Sequence, residues 1–178
     1  LKSLFTMEEL IHSGIFSISR RAGDPYFTFW KHTLLFPYYY EDTVVYIQGR
    51  IIGNASYQRD GKTKQGSKWN NLPKTIPCLY NVNNLLHSDI GGEEVLICEG
   101  VIDTLTLLDG GYNAVGIVGA ENFQARWVDE FKKHNAIPIL ALDKDEAGER
   151  GSQKIVNCFK NNLKRVYPKD AKDWNSCL

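Results

Sequence analysis

ILALDKDEAGERG, residues 139–151, is the stretch that decides the fold of the second half of this chain. Its first four residues are apolar and typical of a buried strand. Asp143 and Asp145 follow almost at once, and a helical pattern begins just after them. Two like charges this close repel each other. The pattern therefore requires a bound cation, a capping role at the start of the helix, or simple exposure to solvent.

The alternation of strand and helix continues on both sides of this stretch. Three further segments have the composition of strands: 94–100 (EVLICEG), 113–119 (NAVGIVG) and 164–168 (KRVYP). Between them, Phe123, Trp127 and Phe131 recur at the spacing of one helix face. Apolar strands that alternate with helices predict an α/β domain over residues 91–178, with a parallel sheet and helices on both faces.

Residues 1–90 have a different pattern, which predicts a small α+β subdomain. Thr6 and Glu9 form a capping box for a short helix that Gly14 can end. Residues 26–40 and 43–52 are aromatic and β-branched, and predict two antiparallel strands. Gly, Pro, Asn and Lys are frequent in residues 59–77, which predicts a loop.

The composition of the chain is that of an ordinary globular protein, with 43% hydrophobic and 24% charged residues among 178. Lys plus Arg and Asp plus Glu are 21 each, so the net charge identifies no partner. The four cysteines form no CxxC pair, which favours reduced thiols in the cytoplasm and argues against a zinc module. No apolar run approaches the ~20 residues of a membrane span. A first residue other than Met leads us to expect a piece of a longer protein.

Carboxylates follow three of the predicted strands. They are Glu99 and Asp103, Asp143 and Asp145, and Asp170 and Asp173. Because ligands of open parallel sheets bind beyond the carboxyl ends of the strands, we expect these side chains at one edge. Hard oxygen ligands suit Mg²⁺ or Mn²⁺. Taken singly, each acid has another explanation: a helix cap, a first-turn acid, an exposed strand end or a solvated loop.

These acids carry a resemblance to a known family. CEGVIDTLTLLDGGYNAVGIVGAENF followed by ILALDKDEAGERG resembles the Toprim domain, the catalytic fold shared by bacterial-type primases, topoisomerases and some nucleases. Glu99 matches the glutamate of the family's E-G element, Asp143 and Asp145 match its D-x-D, and Asp103 matches the E-G-x-x-D form found in primases. In KDAKDWN, Asp173 is the better match to the last acid and Asp170 the second. The resemblance covers residues 93–178.

The first half resembles the N-terminal subdomain of the bacterial primase core. LLFPYYYEDTVVYIQGRI and KWNNLPKTIPCLYN carry this resemblance. It implies that Arg50 and Lys68 line the groove for template and nucleotide, with Lys74 a looser match. Without it, Arg50 is a strand-end arginine packed on aromatics and the lysines are solvated. Arg126 is a phosphate contact or a helix surface residue. The family's zinc-binding, helicase-binding and closing helical regions are missing here, which favours a shorter relative from a mobile element.

The resemblance implies the catalytic core of a DNA primase, a nucleotidyltransferase that uses Mg²⁺ or Mn²⁺. Its expected partners are a single-stranded DNA template and ribonucleoside triphosphates. A replicative helicase could bind through domains outside this chain. Glu99 would position or deprotonate the attacking hydroxyl, and the aspartates would hold metal. Two alternatives stay open: a Toprim nuclease that uses the same acids, and a nucleic-acid-binding module without catalysis.

Overall fold

The computed structural model describes residues 5–87 and 92–177, and the chain divides into two compact units. The first unit extends to Pro37 and resumes at Val44–Ile76, whereas the second comprises Tyr38–Thr43 and the chain from Pro77 onward. The domain boundary predicted between residues 90 and 91 lies outside the described residues.

The first unit begins with the predicted capped helix, α1 (Met7–His12). The Glu9 N–H donates to Thr6 Oγ1 at 3.2 Å and the Thr6 N–H donates to Glu9 Oε2 at 2.7 Å, so the capping box is confirmed. Gly14, with φ of 81°, follows the helix as expected.

Strands β1 (Phe16–Ile18) and β2 (Pro25–Phe27) pair in antiparallel fashion, and β3 (Leu34–Tyr40) and β4 (Thr43–Arg50) follow. The single strand predicted over residues 26–40 is therefore wrong. After β2, the Trp30 N–H donates to the Phe27 carbonyl and the His32 N–H to the Phe29 carbonyl, which turns the chain. Phe29 is fully buried within this turn, so its apolar character reflects the core and not a strand.

The loop predicted over residues 59–77 is also partly wrong. An isolated ribbon, β5 (Ser56–Arg59) and β6 (Lys62–Gln65), precedes β7 (Trp69–Asn71), which completes a sheet of order β3–β4–β7. Asp60 and Gly61 have φ of 54° and 69°, and a type I′ turn requires positive φ at both of these positions. The sequence signal for this hairpin was the Asp-Gly pair, which the polar composition around it obscured.

The second unit contains helix α2 (Asn83–His87) and a parallel sheet. The strands of this sheet are β8 (Glu94–Cys98), β9 (Ala114–Gly116) and β10 (Ile137–Leu140), in the order β10–β8–β9. The fourth strand predicted at 164–168 is reduced to one parallel bridge between Leu140 and Arg165. Pro168, which has no N–H to donate, stands at the end of this segment.

Helices cover both faces of the parallel sheet. They are α3 (Val101–Asp109), α4 (Trp127–Lys133) and α5 (Glu146–Phe159), with 3-10 turns at Ala120–Asn122 and Trp174–Cys177. Val95 and Ile97 of β8 belong to a core that includes residues of α4 and α5, whereas Leu96 and Cys98 pack with Leu107 of α3. The α/β parallel sheet and the preceding unit rich in antiparallel strands confirm the predicted fold class.

Phe123, Trp127 and Phe131 are all buried in the larger core, as their spacing predicted. The helix itself starts only at Trp127, because Phe123 follows the 3-10 turn at Ala120–Asn122. No helix in the described part of the chain is both long and apolar enough to cross a membrane.

The contact of α5 with the first 3-10 turn yields a test of the fold. A Cβ at Gly151 would lie 2.5 Å from the Ala120 carbonyl oxygen and 2.8 Å from Leu142 Cδ2. We expect Gly151→Ala to lower the free energy of unfolding by about 1–3 kcal/mol through overpacking, although alanine favours helix. Asn157→Ala, at an exposed position of the same helix, should change it by less than about 0.5 kcal/mol. Urea unfolding measures both, and equal stability of the two variants would contradict this packing.

Candidate active site

The acids that follow β8 and β10 meet at the edge where these parallel strands end. Pairing continues past β10, because the Ala141 N–H donates to the Ile97 carbonyl at 2.9 Å. Two residues later the Asp143 N–H donates to Glu99 Oε1 at 3.3 Å. Glu99 and Asp143 are therefore adjacent although 44 residues separate them in the sequence.

Helix α5 begins directly beside this pair. A Cβ at Gly148 would overlap the Asp143 carbonyl oxygen and lie 3.0 Å from Glu99 Oε1. Any larger residue would push the first turn of α5 away from the strand ends. Gly148 thus permits the close approach of helix and carboxylates.

Asp145 is the N-cap of α5. Its Oδ1 accepts the Gly148 N–H at 3.0 Å, and its Oδ2 lies 3.0 Å from the Lys172 ammonium. The hydrogen bond from Gly148 and the contact with Lys172 lower the pKa of Asp145. Of the alternatives left open by the sequence, the capping role applies to this aspartate.

Asp143 has the opposite environment. Its Oδ1 is buried and has no hydrogen-bond partner among the described residues. Burial raises the pKa of Asp143 to about 7, helped by the negative charges of Glu99, Asp103 and Asp173. A buried carboxylate oxygen without a donor is costly unless a cation or proton neutralises it.

Glu99 shares this crowding. Burial raises its pKa, and the charges of Asp145 and Asp103 act in the same direction. The Asp143 N–H and Lys172 oppose the shift. Asp103 lies in the first turn of α3, next to the strand end that carries Glu99. The structure therefore brings Glu99, Asp103, Asp143 and Asp145 into one electrostatically coupled group.

The C-terminal segment attaches to the same edge through its backbone and an indole ring. The Lys144 N–H donates to the Lys172 carbonyl at 3.1 Å, and Trp174 Nε1 donates to the Ala141 carbonyl at 2.7 Å. Asp173, between them, accepts bonds from the N–H and hydroxyl of Ser176 and is close enough to raise the pKa of Asp143. Asp170 is exposed and has a left-handed φ of 55°.

Sequence reasoning missed three residues at this edge: Lys172, Trp174 and Arg165. Arg165 is only 14% exposed, pairs with Glu149 at 2.6 Å, and donates to the Asp143 carbonyl at 3.4 Å. Lys172 and Trp174 flank an acid that the sequence had identified, so their position beside Asp173 was the available signal. No sequence signal pointed to Arg165, because its contacts are with residues distant in sequence.

The donor types at this edge suit a hard divalent cation, with Asp143 Oδ1 as the oxygen in need of one. Among the described residues, however, no three Asp, Glu, His or Cys side chains are arranged to hold one ion together. The arrangement therefore fits an ion that takes one or two carboxylates and completes its shell with water and substrate phosphate, as Mg²⁺ commonly does.

Two of the predicted basic residues lie together in the first unit. Arg50 ends β4 opposite Trp69, and its guanidinium lies 5.1 Å from the ring centre of Trp69. Arg50 and the exposed Lys68 line one shallow pocket with Ile51 and Ile52. The packing of Arg50 on an aromatic ring and a contact to phosphate are compatible, since the ring holds the guanidinium in place.

The other two basic residues, Lys74 and Arg126, do not line this pocket. Lys74 is exposed after β7, with φ of 60°. Arg126, in the second unit, is exposed at the start of α4, and its guanidinium donates to the Pro77 carbonyl at 2.9 Å.

Comparison with known proteins connects these observations to a family. A model described as Toprim-like matches residues 96–178. A DNA primase domain from Pseudomonas aeruginosa superposes with a TM-score of 0.76 at 17% identity, covering 96% of this chain and 53% of its own. The DnaG primase catalytic domain bound to ssDNA gives 0.73 at 20% identity, covering 95% and 55%. No curated protein sequence matches the chain.

A third solved structure extends the comparison. The Aquifex aeolicus primase, with zinc-binding and RNA polymerase domains, gives a TM-score of 0.70 at 18% identity, covering 96% of this chain and 42% of its own. The chain thus spans about half of these structures or less, and at such identities the similarity establishes the fold. Residues 96–178 thus match the Toprim-like model, and the chain has the fold seen in these primase catalytic domains.

Proposed function

We propose that this chain is a primase catalytic core that joins ribonucleotides on a single-stranded DNA template. The observation that carries the proposal is Asp143, whose buried Oδ1 stands among other carboxylates at the strand ends, has no hydrogen-bond partner among the described residues, and suits a bound cation. The primase fold of the whole chain supports a nucleotidyltransferase over other uses of such a site.

Asp143 would hold a divalent ion, with Asp103, Asp145, Asp173 and, more remotely, Asp170 as supporting acids. When bound, Mg²⁺ or Mn²⁺ supplies charge neutralisation at the transferring phosphate and activates the attacking oxygen. Residues of the chain itself then provide position and electrostatics. In the short loop between β10 and α5, the Asp143 N–H donates to the Glu99 carboxylate and the Gly148 N–H donates to the Asp145 carboxylate, which holds both aspartates in place.

Glu99 would accept a proton from the attacking hydroxyl. Its raised pKa makes it a stronger base than an exposed carboxylate. Lys172 pairs with Asp145, and its positive charge also opposes the rise in the pKa of Glu99, so it limits the repulsion among the acids. Arg50 and Lys68 would bind phosphates of template or nucleotide, and Lys74 and Arg126 are further candidates for this role.

The decisive test is incubation with single-stranded DNA, labelled ribonucleotides and Mn²⁺. We expect RNA primers, and we expect Glu99→Gln to reduce their formation at least ~100-fold, the scale on which acid–base catalysis contributes. The unfolding free energy of this variant should hold or rise, because one of several crowded carboxylates becomes neutral. Cleaved DNA instead of primers would indicate a nuclease, and retention without turnover would indicate a binding module. A stable variant with full activity would remove Glu99 from the mechanism.

The pKa of Asp143 gives a pH-dependent test without metal. Unfolded Asp143 ionises near pH 4 and folded Asp143 near 7, so folding binds a proton in that interval and stability falls as pH rises through it. We expect Asp143→Asn to be more stable than the natural chain above pH 7, by on the order of 1–3 kcal/mol after solvent screening is allowed for, and to match it below pH 4. Urea unfolding between pH 4 and 8 measures this difference.

Asp145→Asn is the matched control for that series. Asparagine also caps helices well, and the pKa of Asp145 is lowered and not raised. This variant should therefore gain no stability above pH 7. If both variants gain the same stability above pH 7, the raised pKa is wrongly assigned to Asp143.

Addition of Mn²⁺ should raise the unfolding free energy of the natural chain and not that of Asp143→Asn, because only an ion that binds the folded state raises its stability.

The basic pocket is tested by salt dependence. Arg50→Gln with Lys68→Gln should weaken binding of a single-stranded oligonucleotide and flatten the slope of log affinity against log salt by ~1.4, about 0.7 for each lost contact. Lys132→Gln with Lys133→Gln removes the same charge from exposed positions of α4 and should change the slope less. Unchanged affinity of the first variant at every salt concentration would show that the pocket is misassigned.

A further inference from the structure

The β5–β6 ribbon sorts its side chains into two chemically different faces. Residues directly opposite in an antiparallel pair share a face, and the register pairs Tyr57 with Lys64 and Gln58 with Thr63. Lys62 lies two residues from Lys64 in the same strand and so shares its face. Tyr57, Lys62 and Lys64 form what we term the basic face. The opposite face consists of the uncharged residues Ser56, Gln58, Thr63 and Gln65.

The two faces differ in how their polar groups are used. On the uncharged face, Gln58 Nε2 donates to Thr63 Oγ1 at 2.7 Å across the strands. On the basic face, every residue is exposed, Tyr57 by 44%. No ion pair within the described residues includes Lys62 or Lys64. The basic face therefore offers two ammonium groups and an aromatic ring to solvent.

The ribbon is held firmly at both ends. The Asp60–Gly61 turn fixes its register, and at its base the Gly66 N–H donates to the Ala55 carbonyl at 3.0 Å. Ala55 is buried, and the Ser56 N–H is bonded to Asn54 Oδ1. Each strand of the ribbon packs chiefly against the other among the described elements. Because the ribbon packs little against other elements, its exposed side chains are available for contacts outside the unit.

We propose that the basic face of the β5–β6 ribbon binds single-stranded DNA, as a contact separate from the Arg50–Lys68 pocket. Proteins that bind single strands combine cations that follow the backbone with aromatic rings on which bases stack. The backbones of Lys62 and Lys64 lie about 6.8 Å apart along the strand, so their side chains can reach two phosphates of one extended DNA strand. Tyr57, opposite Lys64, provides the ring. This inference rests on the proposed function, in which such a strand is the template.

Charge removal on the ribbon is the first test. Lys62→Gln with Lys64→Gln should weaken binding of a dT oligonucleotide several-fold at low salt and flatten the salt slope by ~1.4, the value for two phosphate contacts to a single strand. Arg20→Gln with Arg21→Gln removes the same charge from exposed positions of the same unit. This control should alter affinity only slightly. If the two double variants behave alike, the ribbon makes no specific contact and the proposal is overturned.

The ring is tested separately. Tyr57→Phe keeps the stacking surface and should bind the oligonucleotide as the natural chain does, whereas Tyr57→Leu should bind it several-fold more weakly. Neither variant should change the affinity for a blunt duplex of the same length, whose bases are already stacked. Equal loss in both variants, or an equal effect on duplex, would contradict a stacking role.

Failure of this proposal can be told apart from failure of the proposed function. If Arg50→Gln with Lys68→Gln abolishes binding while the ribbon variants bind normally, the ribbon is excluded and the primase proposal stands. If the natural chain binds no single-stranded DNA even at low salt, both proposals fall. Thermal melts of each variant serve as the fold control. We expect unchanged midpoints for the ribbon variants and for Arg20→Gln with Arg21→Gln, because these substituted side chains are exposed.

Discussion

The approach of Glu99 to the backbone of Asp143 is the constraint on which the second unit depends. It ties the ends of β8 and β10 together, and α5 begins close beside them because Gly148 has no side chain. Glu99 and Asp143 are thereby held where burial raises the pKa of both and the negative charges of neighbouring acids add to the shift. Concentrating negative charge in this way lowers the stability of the fold, as is common at functional sites.

Asp143 and Asp145 are separated by one residue, yet they have different environments and different roles. Asp145 faces the start of α5 and Lys172, which favour its ionised form. Asp143 faces the interior and other acids, which favour its protonated form. Asp145 caps the helix, whereas Asp143 presents a buried oxygen that a cation or a proton must neutralise. The two neighbouring aspartates therefore have pKa values shifted in opposite directions.

Positively charged side chains of the first unit lie beside aromatic rings. Arg50 is held against Trp69, and the ribbon presents lysines beside a tyrosine. Both arrangements combine a cation with an aromatic ring, which suits the phosphates and bases of a single strand. The ribbon escaped prediction because Gly, Lys and Gln around it are typical of loops. An Asp-Gly pair at the centre of two short exposed strands was the better signal.

The sequence by itself determined the alternation of strands and helices, the capping box of α1, and the location of acids after strands, because these depend on local periodicity and composition. It did not determine that residues 164–168 form only a bridge, or that residues 26–40 turn in the middle. Nor did it separate the roles of Asp143 and Asp145, or reveal Arg165, Lys172 and Trp174. Those features depend on burial and on charges brought in from distant parts of the chain, such as Glu99 beside Asp143. Only the tertiary structure sets these distances, and electrostatic energies follow distance and burial rather than position in the sequence.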